Sequence, residues 1–570
     1  MRSTFLILLA ILPAAAGAQR RPLPDRQQLP GDVRREVAEK WNRANAVRSS
    51  DRLEIEPGQE INGDVAVQRG PLIIAGHVVG SVLAVNSDVL LRPSARIDGN
   101  LLVVGGEVEG RNTGYIGGSV RIYRQSLVYR MEGDHMIAAD SGSRDEPSWW
   151  QRFELDHDSY KWSEALRVVQ AGPYNRVEGL PIQLGPFLNR RTNWGAILID
   201  PAAVLRTGSS FSSAKADVGY NVRSEVRKGD DNGFAVGGRM YSVVDPIEDW
   251  QLSDLEVALG AFLVRRDYRD YYQRHGTTAY VTLYGAPNLS LAGSYGAERW
   301  SSREAGNPFA LFKADDPWRP NPAVDEGVFH LANLALAWDT RTDPLDPWSG
   351  WLIDADIEHG RGSIETPAPS ADPQSVGRIG LTSYTRGFFD VRRYNRLGPN
   401  AQLNMRVVLG GWMHGDPLPL ERRLSVDGPG VLPGFDFRSS RGGRDVGTCS
   451  AGLGVPGSPA ECERIALGQV EYRGDLHLDV MDNLEDYLRQ YLSAHGGIAW
   501  VLFADAGRGW LLGPADDGVA YGNGTLPPLS TFRADLGIGI DLAGIGVYAA
   551  KAVSTPSQPV NFFIRLRHRF

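Results

Sequence analysis

Residues 561–570, NFFIRLRHRF, close the chain and carry the decision about its fold. In an extended strand, side chains alternate between two faces. Phe562, Ile564, Leu566 and Phe570 fall on one face, and Phe563, Arg565, Arg567 and Arg569 on the other. Two environments accept such a strand: the edge of a soluble sheet, or the closing strand of a barrel with lipid outside and water inside. In the barrel the apolar face meets lipid, the three arginines line the lumen and Phe570 is a terminal aromatic.

Composition narrows the choice. The 570 residues include 66 glycines, 35 prolines, 14 tryptophans and 20 tyrosines, but 2 cysteines. That suits many short strands and turns, and it lacks the bias of helical proteins. A net charge of −8 indicates no nucleic-acid surface. At the N-terminus, Arg2 precedes the apolar run FLILLAILPAAA, and AGA ends at Ala18. This predicts a secretory signal peptide over residues 1–18. Beyond it no run approaches the ~20 apolar residues of a membrane helix. The mature chain is then either soluble outside the cytoplasm or a membrane β-barrel.

Residues 31–48 space Val33, Val37, Trp41 and Ala44 at helical intervals, which predicts one amphipathic helix covering the end of the neighbouring C-terminal segment. That segment is a repeat. GDVAV begins at Gly63, GSVLAV at Gly80, GNLLVV at Gly99 and GSVRIY at Gly118, at spacings of 17, 19 and 19 residues. A period near 20 without room for helices predicts a solenoid of short strands, one coil per repeat, against the alternative of an antiparallel sheet. The Gly-polar-Val steps resemble bactofilin-like β-helices. Residues 131–172 read as a linker; Trp149, Trp150 and Trp162 suit either a membrane interface or packing under a barrel mouth.

From about residue 173 the period is two. Trp351, Ile353, Ala355 and Ile357 oppose Asp354, Asp356 and Glu358; Met405, Val407 and Leu409 oppose Asn404 and Arg406; Leu536, Ile538 and Ile540 oppose Arg533, Asp535 and Asp541. A β-sandwich also has one apolar face, but ~400 residues is long for one sandwich. Close charges of both signs on the polar faces fit a wet lumen. In a bilayer the sheet must close. At ~25 residues per strand and connection, ~400 residues give about 16 strands. Loops 301–328 and 360–377, rich in Pro, Asp and Gly, suit the extracellular side.

Several stretches, in order, resemble the BamA/TamA superfamily of outer-membrane barrels (the bacterial surface antigen type). YNRVEG at 174–179 looks like the run into the first strand, and WDTRTDPLDPWSGW at 338–351 like its turn-and-strand. DGPGVLPGFDF at 427–437 looks like the extracellular loop that folds back into the lumen. EYRGDL at 471–476, LFADAGRGW at 502–510 and the terminal Phe570 complete the set. The resemblance implies a strand-seam mechanism, a lumen loop motif at Leu432, Pro433, Gly434 and Phe435 facing Asp505, and an assembly signal in Phe562, Ile564, Leu566 and Phe570. Two departures stand out. Pro433 occupies the place of the arginine that in the family pairs with the aspartate matching Asp505, so either Arg438 substitutes or Asp505 is solvated. A solenoid stands where the family carries POTRA domains.

The expected architecture is all-β: a transmembrane antiparallel barrel of about 16 strands behind a small β-solenoid. Its divisions are a signal peptide over 1–18, a helix and linker over 19–52, the solenoid over 53–130, a linker over 131–172 and the barrel over 173–570. Cys449 and Cys462, close together in an exported chain, are expected to form a disulfide in the external part of the loop. No HExxH, GxSxG or Gly-Lys phosphate loop occurs, so neither catalysis nor a cofactor or metal is expected. Two functions remain open. The barrel assists insertion or translocation of client outer-membrane proteins through a seam between its first and last strands. Or it is a passive pore or anchor in outer-membrane lipid, whose solenoid binds a periplasmic partner.

Overall fold

A computed structural model describes residue 29 and residues 31–138 and 162–570, apart from short internal stretches of which 209–217, 451–458 and 476–497 are the longest. Residues 1–18, where a signal peptide is expected, and Trp149 and Trp150 lie outside the described residues.

Helix α1 (Gly31–Trp41) stops short of the predicted 31–48. Residues Ala46–Ser49 instead form the first solenoid strand, pairing in parallel with Asp64–Val67. The coil then repeats through Val65↔Val82, Val82↔Leu101 and Leu101↔Val120, so the register steps by the repeat's own 17, 19 and 19 residues. Three parallel sheets make the three faces of the solenoid. Their inward valines, leucines and isoleucines, among them Val65, Val82, Leu101, Ile74 and Ile97, form one buried core. The repeated glycine has a steric cause. A Cβ at Gly80 would lie 2.3 Å from the Gly63 carbonyl oxygen, and one at Gly99 2.6 Å from that of Gly80. Contrary to expectation, α1 does not cover an end. Val33, Val37 and Trp41 lie on the outer surface of one sheet, over Leu83, Val85, Leu102 and Val104. A hairpin of Tyr129–Glu132 and His135–Ala138 helps cover it, and the Trp41 indole donates to the Asp134 carbonyl at 3.2 Å.

The barrel begins earlier than residue 173. Its strands are β1 (Trp162–Gln170), β2 (Pro181–Thr192), β3 (Gly195–Arg206), β4 (Val218–Lys228), β5 (Gly233–Pro246), β6 (Tyr271–Gly285), β7 (Leu289–Ser301) and β8 (Glu326–Asp339). There follow β9 (Gly350–Thr366), β10 (Gly380–Gly398), β11 (Ala401–Gly415), β12 (Arg464–Asp475), β13 (Ile498–Leu512), β14 (Arg533–Leu542), β15 (Ile545–Ala552) and β16 (Val560–Arg565). The sheet has 17 strands; the two-residue Ala520–Tyr521 pairs in parallel beside β13, and the other 16 form an antiparallel meander. No helix among the described residues is long and apolar enough to cross a membrane.

The faces are inverted relative to a soluble protein. Leu536, Ile538, Ile540, Met405, Val407 and Leu409 point outward and are exposed, while Asn404, Arg406, Asp535 and Asp541 are buried inside. An apolar exterior around a charged interior is what a lipid solvent selects. The lumen holds ion pairs such as Arg406–Asp390 at 2.7 Å and Arg274–Asp245 at 2.7 Å.

YNRVEG does not lead into the first strand. Asn175 and Gly179 bridge within the β1–β2 connection, and Arg176 is buried there against Asp267 and Asp270. At the other end of the barrel, Arg396 near the β10–β11 turn reaches the solenoid, its Nη1 lying 2.5 Å from Asp88 Oδ2.

Candidate functional site

Three features meet inside the barrel near its first and last strands: the β11–β12 connection, the C-terminal tail and a helix from the β5–β6 connection.

The β11–β12 connection folds into the lumen. A short 3-10 turn, Leu420–Arg422, brings Arg422 to Glu358 of β9 at 2.8 Å and to the Tyr272 hydroxyl of β6 at 2.6 Å. Arg423, fully buried, donates to Asp372 at 2.8 Å. Val431, Leu432 and Phe435 pack with Val408 of β11, Ile465 and Leu467 of β12 and Leu511 of β13. The Gly434 N–H donates to Asp535 Oδ2 of β14 at 2.7 Å, and the Pro433 carbonyl accepts from Asn561 of β16 at 3.2 Å. Gln469 of β12 donates to both the Val431 carbonyl, at 3.1 Å, and Asp505 Oδ1, at 3.2 Å. The motif thus touches strands β11 to β16.

Neither expectation for Asp505 holds. Arg438 donates to Asp270, where Arg176 and Arg319 also converge. Asp505 is not solvated: Arg569, the penultimate residue, pairs with it, and the guanidinium lies 3.6 Å from the centre of the Phe503 ring. The tail supplies the charge that Pro433 lacks.

This requires the tail to leave the barrel wall, which corrects the simple alternation. Phe562 is 79% exposed and Ile564 63%, facing outward as expected. The strand ends at Arg565, opposite Gly546, and β15 begins one residue further at Ile545. Among the described residues β15 offers no strand residue beyond Ile545 to pair with, and unpaired backbone in an apolar solvent is costly. Residues after Arg565 therefore turn inward. Leu566 is half-buried, His568 reaches Asp541 at 3.2 Å and Phe570 is buried instead of lying on lipid. Arg567 lies outside the described residues.

Cys449 and Cys462 form a disulfide. It is not in an external tip: both residues are fully buried in the same cluster as Leu432 and Phe435. A Cβ at Gly509 of β13 would lie 2.2 Å from Cys462 Sγ, so the disulfide sits directly on the wall.

The last strand is short. β16 has six paired residues with β15, whereas β9 and β10 share 15. Among the described residues no ladder joins β1 to β16.

Sequence reading missed helix α2 (Asp254–Val264) in the β5–β6 connection. Its signal was present: Ser253 and Glu256 form a capping box ahead of an apolar run, the S-x-x-E signature of a helix start. Glu256 accepts from Arg565 Nε of β16 at 2.5 Å and from the Leu566 N–H at 3.1 Å.

No protein-family model matches the chain, and no curated protein matches it. Among solved structures it is similar to BamA from Haemophilus ducreyi lacking POTRA domains 1-3, with TM-score 0.39 and 12% identity over 72% of this chain and 70% of that one. It is also similar to CdiB from Acinetobacter baumannii (TM-score 0.28, 9% identity, 71% of this chain and 65% of that one). CdiB from Escherichia coli gives TM-score 0.29 and 10% identity over 72% and 62%. The match thus covers less than two thirds of either CdiB chain. At these levels the chemistry of the site rests on this chain's own residues.

Proposed function

We propose that this chain is an outer-membrane barrel of the BamA/TamA type that assists insertion or translocation of other outer-membrane proteins through the seam between β1 and β16. The observation that carries this reading is the unpaired seam. β16 is six residues long, and no ladder joins it to β1 among the described residues. Its free backbone donors and acceptors are a template for an incoming strand. A client hairpin would pair with that edge, gain hydrogen bonds in a solvent that offers none, and leave laterally into lipid. The outward apolar face supports outer-membrane residence. The occupied lumen, crossed by the Arg422–Glu358 pair and the Leu432–Phe435 packing, suits lateral release better than an open aqueous channel.

The test places a photo-crosslinking amino acid at Val168 of β1, an exposed position next to the seam. During synthesis of outer-membrane proteins, the expected adducts are strands of other barrels. Adducts only with β16 of the same chain or with lipid would reject the client reading and favour a passive anchor.

A further inference from the structure

Helix α2 is unusual for its place. Many lumen-facing strand residues are polar or charged, yet DLEVALGAFLV carries charge only at Asp254 and Glu256. A helix apolar on all sides needs cover. Val257, Ala258, Ala261 and Phe262 are buried, and Leu255, Leu259 and Leu263, one stripe at four-residue intervals, are half-buried.

Its two ends touch the two sides of the seam. At the C-terminal end, the Phe262 ring meets Tyr174, in the connection leaving β1, with centroids 5.5 Å apart. Leu180 of the same connection joins that cluster. At the N-terminal end, Glu256 holds β16: Oε1 lies 2.5 Å from Arg565 Nε and Oε2 lies 3.3 Å from Nη2. Glu256 Oε1 also accepts the N–H of Leu566, the first residue after the strand. A carboxylate thus fills the acceptor position that a neighbouring strand would fill. Both side chains of the ion pair are almost fully buried, at 5% and 7% exposure. Eleven residues of helix span about 16 Å, roughly half the hydrocarbon thickness.

We propose that α2 is the internal closure of the seam, with Glu256 as the positioning residue that latches it to β16, and that it withdraws when another strand takes the β16 edge. This rests on the lateral-seam reading for its purpose, though not for its geometry. In the closed form α2 covers an opening the sheet does not close, and Glu256 satisfies the end of β16. A pairing strand would compete for the Leu566 N–H and release the carboxylate.

The test uses the full chain in lipid with nitroxide labels at Leu259→Cys and Phe562→Cys, the native cysteines remaining in their disulfide. The unmodified background should give one narrow distance; a broad distribution there overturns the proposal without any latch variant. Glu256→Gln removes the charge but keeps the capping box, which accepts Gln at that position. Arg565→Gln removes the partner. Each should create a second population displaced by at least one helical turn, about 5.4 Å, and raise it about tenfold or more, as expected when a buried pair loses one member. The double variant should match the single ones, because a latch can be lost only once. Unchanged distances in assembled, heat-modifiable Glu256→Gln and Arg565→Gln overturn the latch, as does strict additivity. Adducts at Val168 are scored separately. Displacement without more client adducts supports the closure and counts against the client reading; no displacement rejects the closure whatever the adducts do.

Discussion

Arg569, in the C-terminal tail, carries an ion pair with Asp505 of β13. In the β13–β14 register Asp505 stands opposite Asp535, and both are buried. The Gly434 N–H serves Asp535, and Arg569 neutralises Asp505. Removing one member of a buried pair costs about 3–5 kcal/mol. Arg569→Gln should therefore lower the urea midpoint of the folded barrel, measured by heat-modifiable mobility, and Asp505→Asn in the same chain should restore most of the loss. An unchanged midpoint in Arg569→Gln would show the tail to be dispensable. The loop motif gives a second residue-level expectation. Phe435 is buried in a continuous apolar cluster, and truncating a buried aromatic costs about 3–5 kcal/mol. Arg438 shares Asp270 with Arg176 and Arg319, so its loss leaves that carboxylate two partners. Phe435→Ala should accordingly weaken the barrel more than Arg438→Ala, and the opposite order in urea titrations would make the charge cluster the dominant contact.

At the level of elements, the solenoid and the barrel strands obey opposite patterning rules. Solenoid strands point apolar side chains inward to one core, whereas barrel strands point many of theirs outward, where they are exposed. The solenoid also carries a titrating contact on one face. The His77 ring lies 2.8 Å from Asp98 and 3.1 Å from Glu60, on adjacent coils. The hydrogen bond to Asp98, reinforced by Glu60, raises the His77 pKa above its ordinary value. A raised folded-state pKa means the contribution is fully present below the unfolded value of ~6.5 and is lost as pH rises through the folded value. Amide exchange at residues 77–79 and 96–98 should thus be slower at pH 6 than at pH 8 after correction for intrinsic rates. In His77→Gln that difference should vanish; its persistence would assign it to another group.

Across the whole molecule, the solenoid meets the barrel through Asp88 and Arg396, with side-chain exposures of 6% and 8%. They lie 308 residues apart in sequence. The pair fixes the solenoid at the end of the barrel where the chain passes from β10 to β11. Asp88→Asn should broaden the distance between nitroxides at Tyr115→Cys and Leu397→Cys, both exposed positions. Asp88→Asn with Arg396→Gln should broaden it no further. A narrow distribution in Asp88→Asn would place the attachment elsewhere.

Much of the architecture was written in the residues themselves. The two-residue alternation of Leu536, Ile538 and Ile540 against Asp535 and Asp541 fixed which face is buried, because side-chain direction in a strand is local. The solenoid register equals the spacing of Gly63, Gly80, Gly99 and Gly118, because Gly80, Gly99 and Gly118 each meet the backbone of the glycine one coil before. The capping box at Ser253 and Glu256 marked where α2 begins, because a cap involves only near neighbours. Other features depended on contacts between distant segments. The alternation of NFFIRLRHRF continues to Phe570, but the strand stops at Arg565, because β15 starts at Ile545 and leaves the tail without a pairing partner. Which guanidinium reaches Asp505 was settled by where that released tail turns, and Arg569 and Asp505 lie 64 residues apart. That Glu256 holds Arg565 was likewise decided by the tertiary fold, which brings the β5–β6 connection to the last strand across 309 residues of sequence.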